Sequence, residues 1–182
     1  MKFKVETLRK IEREDSRLLG VVNVSINDVL VIENIKIIQA PDHKFIAMPS
    51  KKINDTYADF AHPTNAETRD ELKEVVLSAY EGKENQNGDL EETVITDVKI
   101  RYTSNATGLV AIAHVVLNDK IVLHDMFLVK ELTPDGKSCF KFYMPSVENS
   151  EGLRRNIFYS INRAFSDKLF NTVFEAYKKG LN

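Results

Sequence analysis

Residues 45–65 read FIAMPSKKINDTYADFAHPTN and mark the passage from a strand to a helix. An apolar run ends at a Met-Pro-Ser, where proline stops the strand because it cannot donate to a β-ladder. Two lysines, Lys51 and Lys52, and a polar loop follow. Thr64 and Glu67 then resemble a capping box, which predicts the start of a helix.

The same plan occurs a second time further along the chain. LLGVVNVSINDVLVIENIKII (18–38) aligns with LVAIAHVVLNDKIVLHDMFLV (109–129), and the phase of the apolar alternation is kept. Both stretches contain an Asn-Asp pair, which tolerates the left-handed backbone of a tight hairpin turn. Three further pairs match: AMPS (47–50) with YMPS (143–146), DFAHPTN (59–65) with NIFYSIN (156–162), and LKEVVLSAY (72–80) with LFNTVFEAY (169–177).

Each copy therefore predicts four strands followed by one helix. The predicted strands are 5–10, 17–26, 29–39 and one ending at Met48-Pro49-Ser50, then 94–102, 108–117, 120–130 and one ending at Met144-Pro145-Ser146. Helical apolar stripes follow at Leu72, Val75, Val76, Ala79 and Tyr80, and at Phe165, Leu169, Val173, Ala176 and Tyr177. Gly82 is placed to end the first helix. This order predicts an α+β fold in which each copy is a four-stranded antiparallel sheet with a helix on one face.

The domain prediction follows from the repeat and from a polar connection. The first repeat covers 1–82, an acidic polar linker covers 83–92, and the second repeat covers 93–182. Domains of this size are marginal on their own, so we expect the two repeats to pack on each other. In the second repeat the other side of strand two is also apolar, at Val110, Ile112 and Val116. That side either faces the partner repeat or belongs to a fully buried central strand.

Composition narrows the class of protein. The chain has 182 residues, 43% of them hydrophobic, and a formal net charge of −2, which argues against a strongly basic nucleic-acid coat. One cysteine, Cys139, excludes an intrachain disulfide and fits a reducing compartment. The N-terminal residues do not resemble a secretory signal, and no apolar run is long enough to span a membrane. We therefore expect a cytoplasmic protein without a membrane partner.

The first repeat resembles the SpoVG family, bacterial regulators named after a stage V sporulation protein. The resemblance lies in FIAMPSKK (45–52), in the Tyr-Ala-Asp-Phe-Ala-His-Pro-Thr-Asn that follows, and in a Thr-Arg at the helix start. The motif residues are Met48, Pro49, Ser50, His62, Pro63 and Asn65, with Met144, Pro145 and Ser146 kept in the second repeat. That repeat is degenerate: Val147 and Glu148 replace the lysine pair, Tyr159 replaces His62, and Ser166 replaces Arg69.

The resemblance implies a fold, an assembly and a function. Family members are single-copy homodimers, so the chain is expected to be a fused pseudo-dimer, with further homodimerisation left open. It also implies site-specific binding of DNA or RNA and gene regulation. We expect no cofactor. Lys51, Lys52 and Arg69 are the expected phosphate contacts of the first repeat. In the second, the basic C-terminal end suggests Arg154, Arg155, Arg163 and Lys168.

Several alternatives stand beside this hypothesis. The cations also fit an ordinary solvated surface, and His62 fits a ring bonded to backbone at the sheet-to-helix bend. The sequence offers no nucleophile or phosphate-loop motif, so we predict no enzyme. His43, His114, His124 and Cys139 show no metal-ligand spacing, and Asp97, Asp119 and Asp125 form no carboxylate pair. The main alternative function is a protein-interaction module that does not bind nucleic acid.

Overall fold

The computed structural model describes residues 1–13, 15–103, 108–148 and 152–181. Within these ranges the chain is an α+β protein with mostly antiparallel sheets. The first repeat and the linker contain β1 (Phe3–Lys10), β2 (Leu18–Ile26), β3 (Leu30–Gln39), β4 (Lys44–Ala47), β5 (Ser50–Ile53), β6 (Thr56–Asp59), β7 (Ala61–Pro63), α1 (Ala66–Tyr80) and β8 (Gln86–Asn87). The second contains β9 (Ile95–Tyr102), β10 (Leu109–Leu117), β11 (Ile121–Leu132), β12 (Ser138–Tyr143), β13 (Ser146–Glu148), β14 (Arg154–Asn156), β15 (Phe158–Ser160) and α2 (Arg163–Lys179).

The main strands and both helices lie where the periodicity predicts them. The expected polar loop after Ser50 is instead a β-hairpin, in which β5 pairs with β6. The second repeat has the same hairpin, with β13 pairing with β14. The prediction for the second repeat also extends over residues 104–107, 149–151 and 182, which lie outside the described ranges.

The two Asn-Asp turns have the same geometry in both repeats. Asn27 and Asp28 have φ of 47° and 55°, and Asn118 and Asp119 have φ of 50° and 55°. Both Asn side chains also hold the beginning of the neighbouring strand. Asn27 Oδ1 accepts from the Lys2 amide at 2.9 Å, as Asn118 Oδ1 does from Val94 at 2.8 Å.

The sheets contain more strands than the four predicted for each repeat. The first sheet has the order β15-β3-β2-β1-β8, and β4 also pairs with β3. The second has the order β12-β11-β10-β9, and β7 also pairs with β11. Each sheet therefore includes four strands of its own repeat and one short strand of the other repeat, and β8 of the linker extends the first sheet.

The exchange of short strands is reciprocal. β7 pairs antiparallel with Ile121–Leu123 of the second repeat, and β15 pairs antiparallel with Leu30–Ile32 of the first. Equivalent backbone bonds precede each exchanged strand, from the His124 amide to Phe60 O and from the Glu33 amide to Ile157 O, both 2.8 Å. Each sheet is therefore completed by backbone groups of the other repeat.

The interior is shared in the same way. One continuous cluster of buried apolar residues includes the inner faces of both sheets, α1 and α2. Leu72 and Val76 of α1 belong to it, as do Leu169 and Val173 of α2. Phe158 of β15 is among the largest fully buried side chains.

Both helices are capped by an asparagine, which corrects the prediction for Thr64. Asn65 Oδ1 accepts from the Thr68 amide at 2.8 Å, and Asn162 Oδ1 accepts from the Phe165 amide at 3.0 Å. Thr64 instead pairs with the other repeat, because its amide donates to Lys120 O and its hydroxyl to Asp119 O. It continues the pairing that β7 begins.

Each helix is followed by a glycine, and the two glycines differ in the property that favours them: backbone conformation at Gly82 and lack of space for a side chain at Gly180. Gly82 has φ of +76° and its amide donates to Ala79 O, as predicted for a residue that ends a helix. Gly180 has an ordinary φ of −85°. A Cβ there would lie 2.0 Å from the hydroxyl of Tyr102, which itself donates to Tyr177 O.

The second apolar side of β10 does not form one uniform surface. Val110 packs against a small cluster around Ala111, Leu128 and Tyr177. Ile112 is buried, whereas Val116 is half-buried and lines a cleft together with His62 of the first repeat. Among the described residues, no helix combines the length and the hydropathy needed to cross a bilayer.

We predict that Phe158→Ala destabilises the whole chain. The fully buried ring would leave a cavity at the exchanged strand, which typically costs about 3–5 kcal/mol of the free energy of unfolding. Urea unfolding should show one cooperative transition at a lower midpoint, with faster amide exchange in β3 of the first repeat. Leu132→Ala is the control, because that side chain is 75% exposed and should change stability by less than about 0.5 kcal/mol. Loss of protection confined to the second repeat would contradict the prediction.

Candidate nucleic-acid interface

The lysine pair lies on the β5–β6 hairpin. Lys51 pairs with Ala58 across the hairpin, and Lys52 pairs with Tyr57. The Tyr57 ring is 73% exposed, so a cation and a large aromatic face stand side by side in solvent. Asn54, with φ of +53°, makes the turn at the tip.

The Met-Pro-Ser motif closes the base of each hairpin. The Pro49 carbonyl accepts from the Phe60 amide and the Pro145 carbonyl accepts from the Ile157 amide, both at 2.8 Å. Met48 is buried in the core below, and Met144 packs against that core from a partly buried position. Proline has no amide hydrogen, so it ends the pairing of β4 without leaving an unpaired donor. Its carbonyl still accepts a hydrogen bond from the residue that follows the hairpin.

A cleft of about 530 Å³ lies beside the first hairpin. It is bounded by the hairpin, by β7, by the first turn of α1, and by the outer face of β9, β10 and β11. Besides Tyr57, its charged and titratable lining consists of three cations (Lys51, Arg69, Arg101), three histidines (His62, His114, His124) and two carboxylates (Asp59, Asp125). Residues of both repeats are needed to build it.

An ion pair joins the two repeats inside this cleft. Lys51 Nζ contacts Asp125 Oδ2, with side-chain exposures of 39% and 13%. Asp125 lies in a bulge of β11 with φ of +59°, and the equivalent Asn34 of the first sheet has φ of +63°. Asp125 therefore offsets much of the charge that Lys51 would present to a ligand.

The three histidines form a continuous row, which we call the histidine row. His124 Nδ1 lies 3.0 Å from His114 Nδ1, and His124 Nε2 lies 3.3 Å from His62 Nδ1. The rings of His62 and His124 are stacked, with centroids 5.0 Å apart. Since both nitrogens of His124 face other imidazoles, the row is connected by hydrogen bonds. No group of three or more His, Cys, Asp or Glu in the described ranges is arranged to hold a metal ion.

Burial and neighbouring positive charge lower the pKa values of two members of the row, His114 and His124. Burial, followed by the adjacent His114 and His62, lowers the pKa of His124 to about 4, against the opposing effect of Asp125. Burial also lowers the pKa of His114, opposed by Asp125 and reinforced by Arg101, Lys51 and Lys99. Burial raises the pKa of Asp59, against the effect of His62 and Arg69.

The equivalent position in the second repeat has different chemistry. Its hairpin carries Val147 and Glu148 in place of the lysines. Tyr159 replaces His62, and its pKa is raised by burial and by Glu33, which stands where the second sheet has His124. Asn23 corresponds to His114. Among the described residues, the cleft with its histidine row therefore occurs at the hairpin of the first repeat and is not repeated at that of the second.

The predicted contact residues are distributed over two regions. Lys51 and Arg69 line the cleft, and Lys52 stands on the hairpin above it. The other four are exposed in the second repeat, outside the lining of that cleft: Arg154 and Arg155 on β14, and Arg163 and Lys168 on α2. Lys168 Nζ contacts Glu92 Oε1 at 3.2 Å and Thr93 O at 3.1 Å, which ties α2 to the linker.

Sequence reasoning missed the contribution of the second sheet. Arg101, His114, His124 and Asp125 come from three strands of the second repeat, whereas the motif lies in the first. The Asn118-Asp119 turn could have predicted that His114 and His124 are neighbours, because it sets the register of β10 against β11. Leu117 pairs with Ile121 and Val115 with Leu123, so residues 114 and 124 must be neighbours across β10 and β11.

Comparison with known proteins places both repeats in one family. The SpoVG family model matches residues 1–82 and again residues 93–179. A SpoVG septation protein of Lachnospira eligens is 46% identical over 78 residues, covering 42% of this chain and 88% of the relative. Those of Agathobacter rectalis and Finegoldia magna are 42% identical over 74 residues and 31% over 97 residues. These alignments cover 40% and 53% of this chain and 84% and 90% of the relatives.

We predict that the histidine row makes folding sensitive to acid. The folded-state pKa of His124 is about 4, against an ordinary value of 6.5. The unfolded chain therefore binds more protons between those values, and stability falls as pH drops through this window. After discounting for partial exposure, we expect a loss of about 1 kcal/mol between about pH 7 and about pH 5.

His124→Gln should remove much of that loss, because glutamine keeps a polar side chain without titrating. Urea unfolding at the two pH values measures the difference. His43→Gln is the control, since His43 lies on an exposed turn beside Asp42 and outside the row. An equal pH dependence in His124→Gln and in the unmodified chain would contradict the assignment.

Proposed function

Because the chain belongs to the SpoVG family, we propose that it is a non-catalytic regulator of gene expression that binds DNA or RNA. The observation that carries the proposal is the convergence of Lys51, Arg69 and Arg101 beside the exposed ring of Tyr57. Guanidinium groups bind phosphate as two-pronged donors, and an exposed aromatic face can stack on a base.

In the proposed mode the backbone of the nucleic acid follows the hairpin and the first turn of α1. Lys52, Arg69 and Arg101 contact phosphates, while Lys51 contributes less because Asp125 already offsets its charge. The N-terminal end of α1 adds partial positive charge next to Arg69. Tyr57 supplies a stacking surface that every base can use.

We also propose that the chain is a fused pseudo-dimer with repeats at 1–82 and 93–182 joined by a linker at 83–92. The reciprocal exchange of β7 and β15 supports this, as does the length of the relatives, each of which matches about half of the chain. The second repeat then adds Arg154, Arg155, Arg163 and Lys168 as a second cationic region. Among these, Lys168 should contribute least because Glu92 is its partner.

The absence of catalysis is part of the proposal. The relatives are named septation proteins, and none of the three names describes an enzyme. His62 stacks on another imidazole, and the described lining of the cleft includes no serine, threonine or cysteine that it could activate. Turnover of any substrate that is lost in His62→Ala would contradict this part.

The alternative function, a protein-interaction module, has one observation in its favour. Tyr143 and Val147 are partly exposed apolar residues at the second hairpin, where the lysine pair has been lost. A pulldown competed with DNA separates the two functions. Partners that stay bound in excess DNA, together with no mobility shift of DNA, would favour the interaction module.

We predict that removing the cleft cations reduces the salt dependence of nucleic-acid binding. Each phosphate contact contributes roughly 0.9 to the slope of log affinity against log salt on duplex DNA. Arg69→Ala and Lys52→Ala should each lower the slope by up to that amount, and Lys51→Ala by less, because of Asp125. Fluorescence anisotropy with a labelled duplex at several salt concentrations measures the slope.

Lys83→Ala is the matched control for these substitutions. Lys83 follows the opposite end of α1 from Arg69 and pairs with Glu81, so its loss should leave the slope unchanged. The same slope in Arg69→Ala, Lys52→Ala and Lys83→Ala would reject the assigned interface.

A further inference from the structure

The cleft contains more titratable groups than phosphate binding requires. Its fixed charges nearly cancel, because Lys51, Arg69 and Arg101 face Asp59 and Asp125 across the same space. Between them lies the histidine row, in which burial lowers the pKa values of His114 and His124. The row borders a second cleft of about 400 Å³ on the outer face of the sheet, lined also by Asp97 and Lys99.

We propose that an anionic phosphate group entering this cleft causes the histidine row to take up protons. This inference rests on the proposed function and deepens it, because it concerns how the same cleft binds its ligand. The ligand class is a phosphate or phosphodiester group, and the coupled species is a proton from solvent. No covalent bond is made or broken; an imidazole nitrogen gains the proton and becomes a donor.

The first reason is the ion pair between Lys51 and Asp125. A phosphate that contacts Lys51 would lie beside a carboxylate that is 13% exposed and already in contact with the ammonium group. Protonating an imidazole provides a positive charge without breaking that pair. The anion and the proton then enter together, and the Lys51 contact between the repeats is kept.

The second reason is the geometry of the row. His124 lies within hydrogen-bond distance of an imidazole on each side, at 3.0 Å and 3.3 Å. A neutral His124 has one ring proton for two such contacts, so a neighbour must donate to the other nitrogen. An added proton can be held by any ring of the row, which spans the cleft from β7 to β10.

The third reason is the set of charged side chains that act on the histidines of the row. Besides burial, the positive charges of Arg101, Lys51 and Lys99 disfavour a charged His114. A phosphate group would oppose those charges and favour the imidazolium form. The other facing groups are Asp125 on β11, Asp97 on β9, Asp59 on β6 and Arg69 on α1.

The direct test uses inorganic pyrophosphate as the probe and NMR of the histidine ring protons. Titration midpoints of His62, His114 and His124 are measured with and without pyrophosphate. At least one midpoint of the row should rise, by about half a pH unit or more, while that of His43 stays constant. Unchanged midpoints throughout the row would overturn the inference, whether or not pyrophosphate binds elsewhere.

The second test uses a labelled DNA duplex at constant salt. Affinity should increase as the pH falls from about 7.5 to about 5.5, by up to tenfold per pH unit for each proton taken up. The double variant His114→Asn/His124→Gln should flatten this dependence, and His43→Gln should retain it. His114→Asn copies the first sheet, where Asn23 occupies the equivalent position.

The outcomes separate this inference from the proposed function. Raised midpoints with pyrophosphate but no binding of DNA or RNA would support proton coupling and reject the nucleic-acid function. DNA binding that has the expected salt slope but does not depend on pH, with unchanged titration midpoints in the row, would support the nucleic-acid function and reject proton coupling. If the double variant does not fold, the NMR measurement on the unmodified chain still decides the inference.

Discussion

The reciprocal exchange of two three-residue strands is the constraint on which the rest of the structure depends. β7 leaves the first repeat to pair with β11, and β15 leaves the second to pair with β3. Neither sheet has its full set of backbone partners without the other repeat. Since small domains are marginal on their own, sharing strands and one core lets about 90 residues per repeat form a stable interior. The exchange also places the β5–β6 hairpin and the start of α1 against the outer face of the second sheet.

The exchange makes the candidate site composite. Lys51, His62 and Arg69 come from the first repeat, whereas Arg101, His124 and Asp125 come from the second. In a homodimer of two identical single-copy subunits, a substitution on the outer face of the sheet would appear in both subunits and therefore at both equivalent sites. In a single chain the two outer faces can diverge independently. The second sheet has His114, His124 and Asp125, and the first has Asn23, Glu33 and Asn34 at the equivalent positions. An anion site on one side is then compatible with a different surface on the other.

Local patterns predict local structure well here, and they fail where pairing is between repeats. Strand alternation, the Asn-Asp turns, the helix stripes and Gly82 all depend on neighbours within a few residues, and the structure confirms them. A three-residue strand such as β7 has no such signal, because its partner lies about 60 residues away. Thr64 was wrong as a cap for the same reason, since an acceptor in the other repeat, Lys120 O, binds its amide. The motif pointed to Lys51 and Arg69, but the other half of the cleft depends on the register of β10 against β11.

The pair of bulge residues shows how the two sides can differ at little structural cost. Asn34 and Asp125 occupy equivalent positions with φ of +63° and +59°, a conformation that both asparagine and aspartate tolerate better than most residues. The backbone therefore does not distinguish them, and the choice between amide and carboxylate sets only the local charge. On the side with Asp125, the carboxylate meets Lys51 and the imidazoles. On the side with Asn34, Val147 replaces the lysine, so a carboxylate would have no equivalent cation to pair with. On the side with Asp125, the charge at the bulge is thus matched by a lysine of the hairpin that the exchange brings next to it.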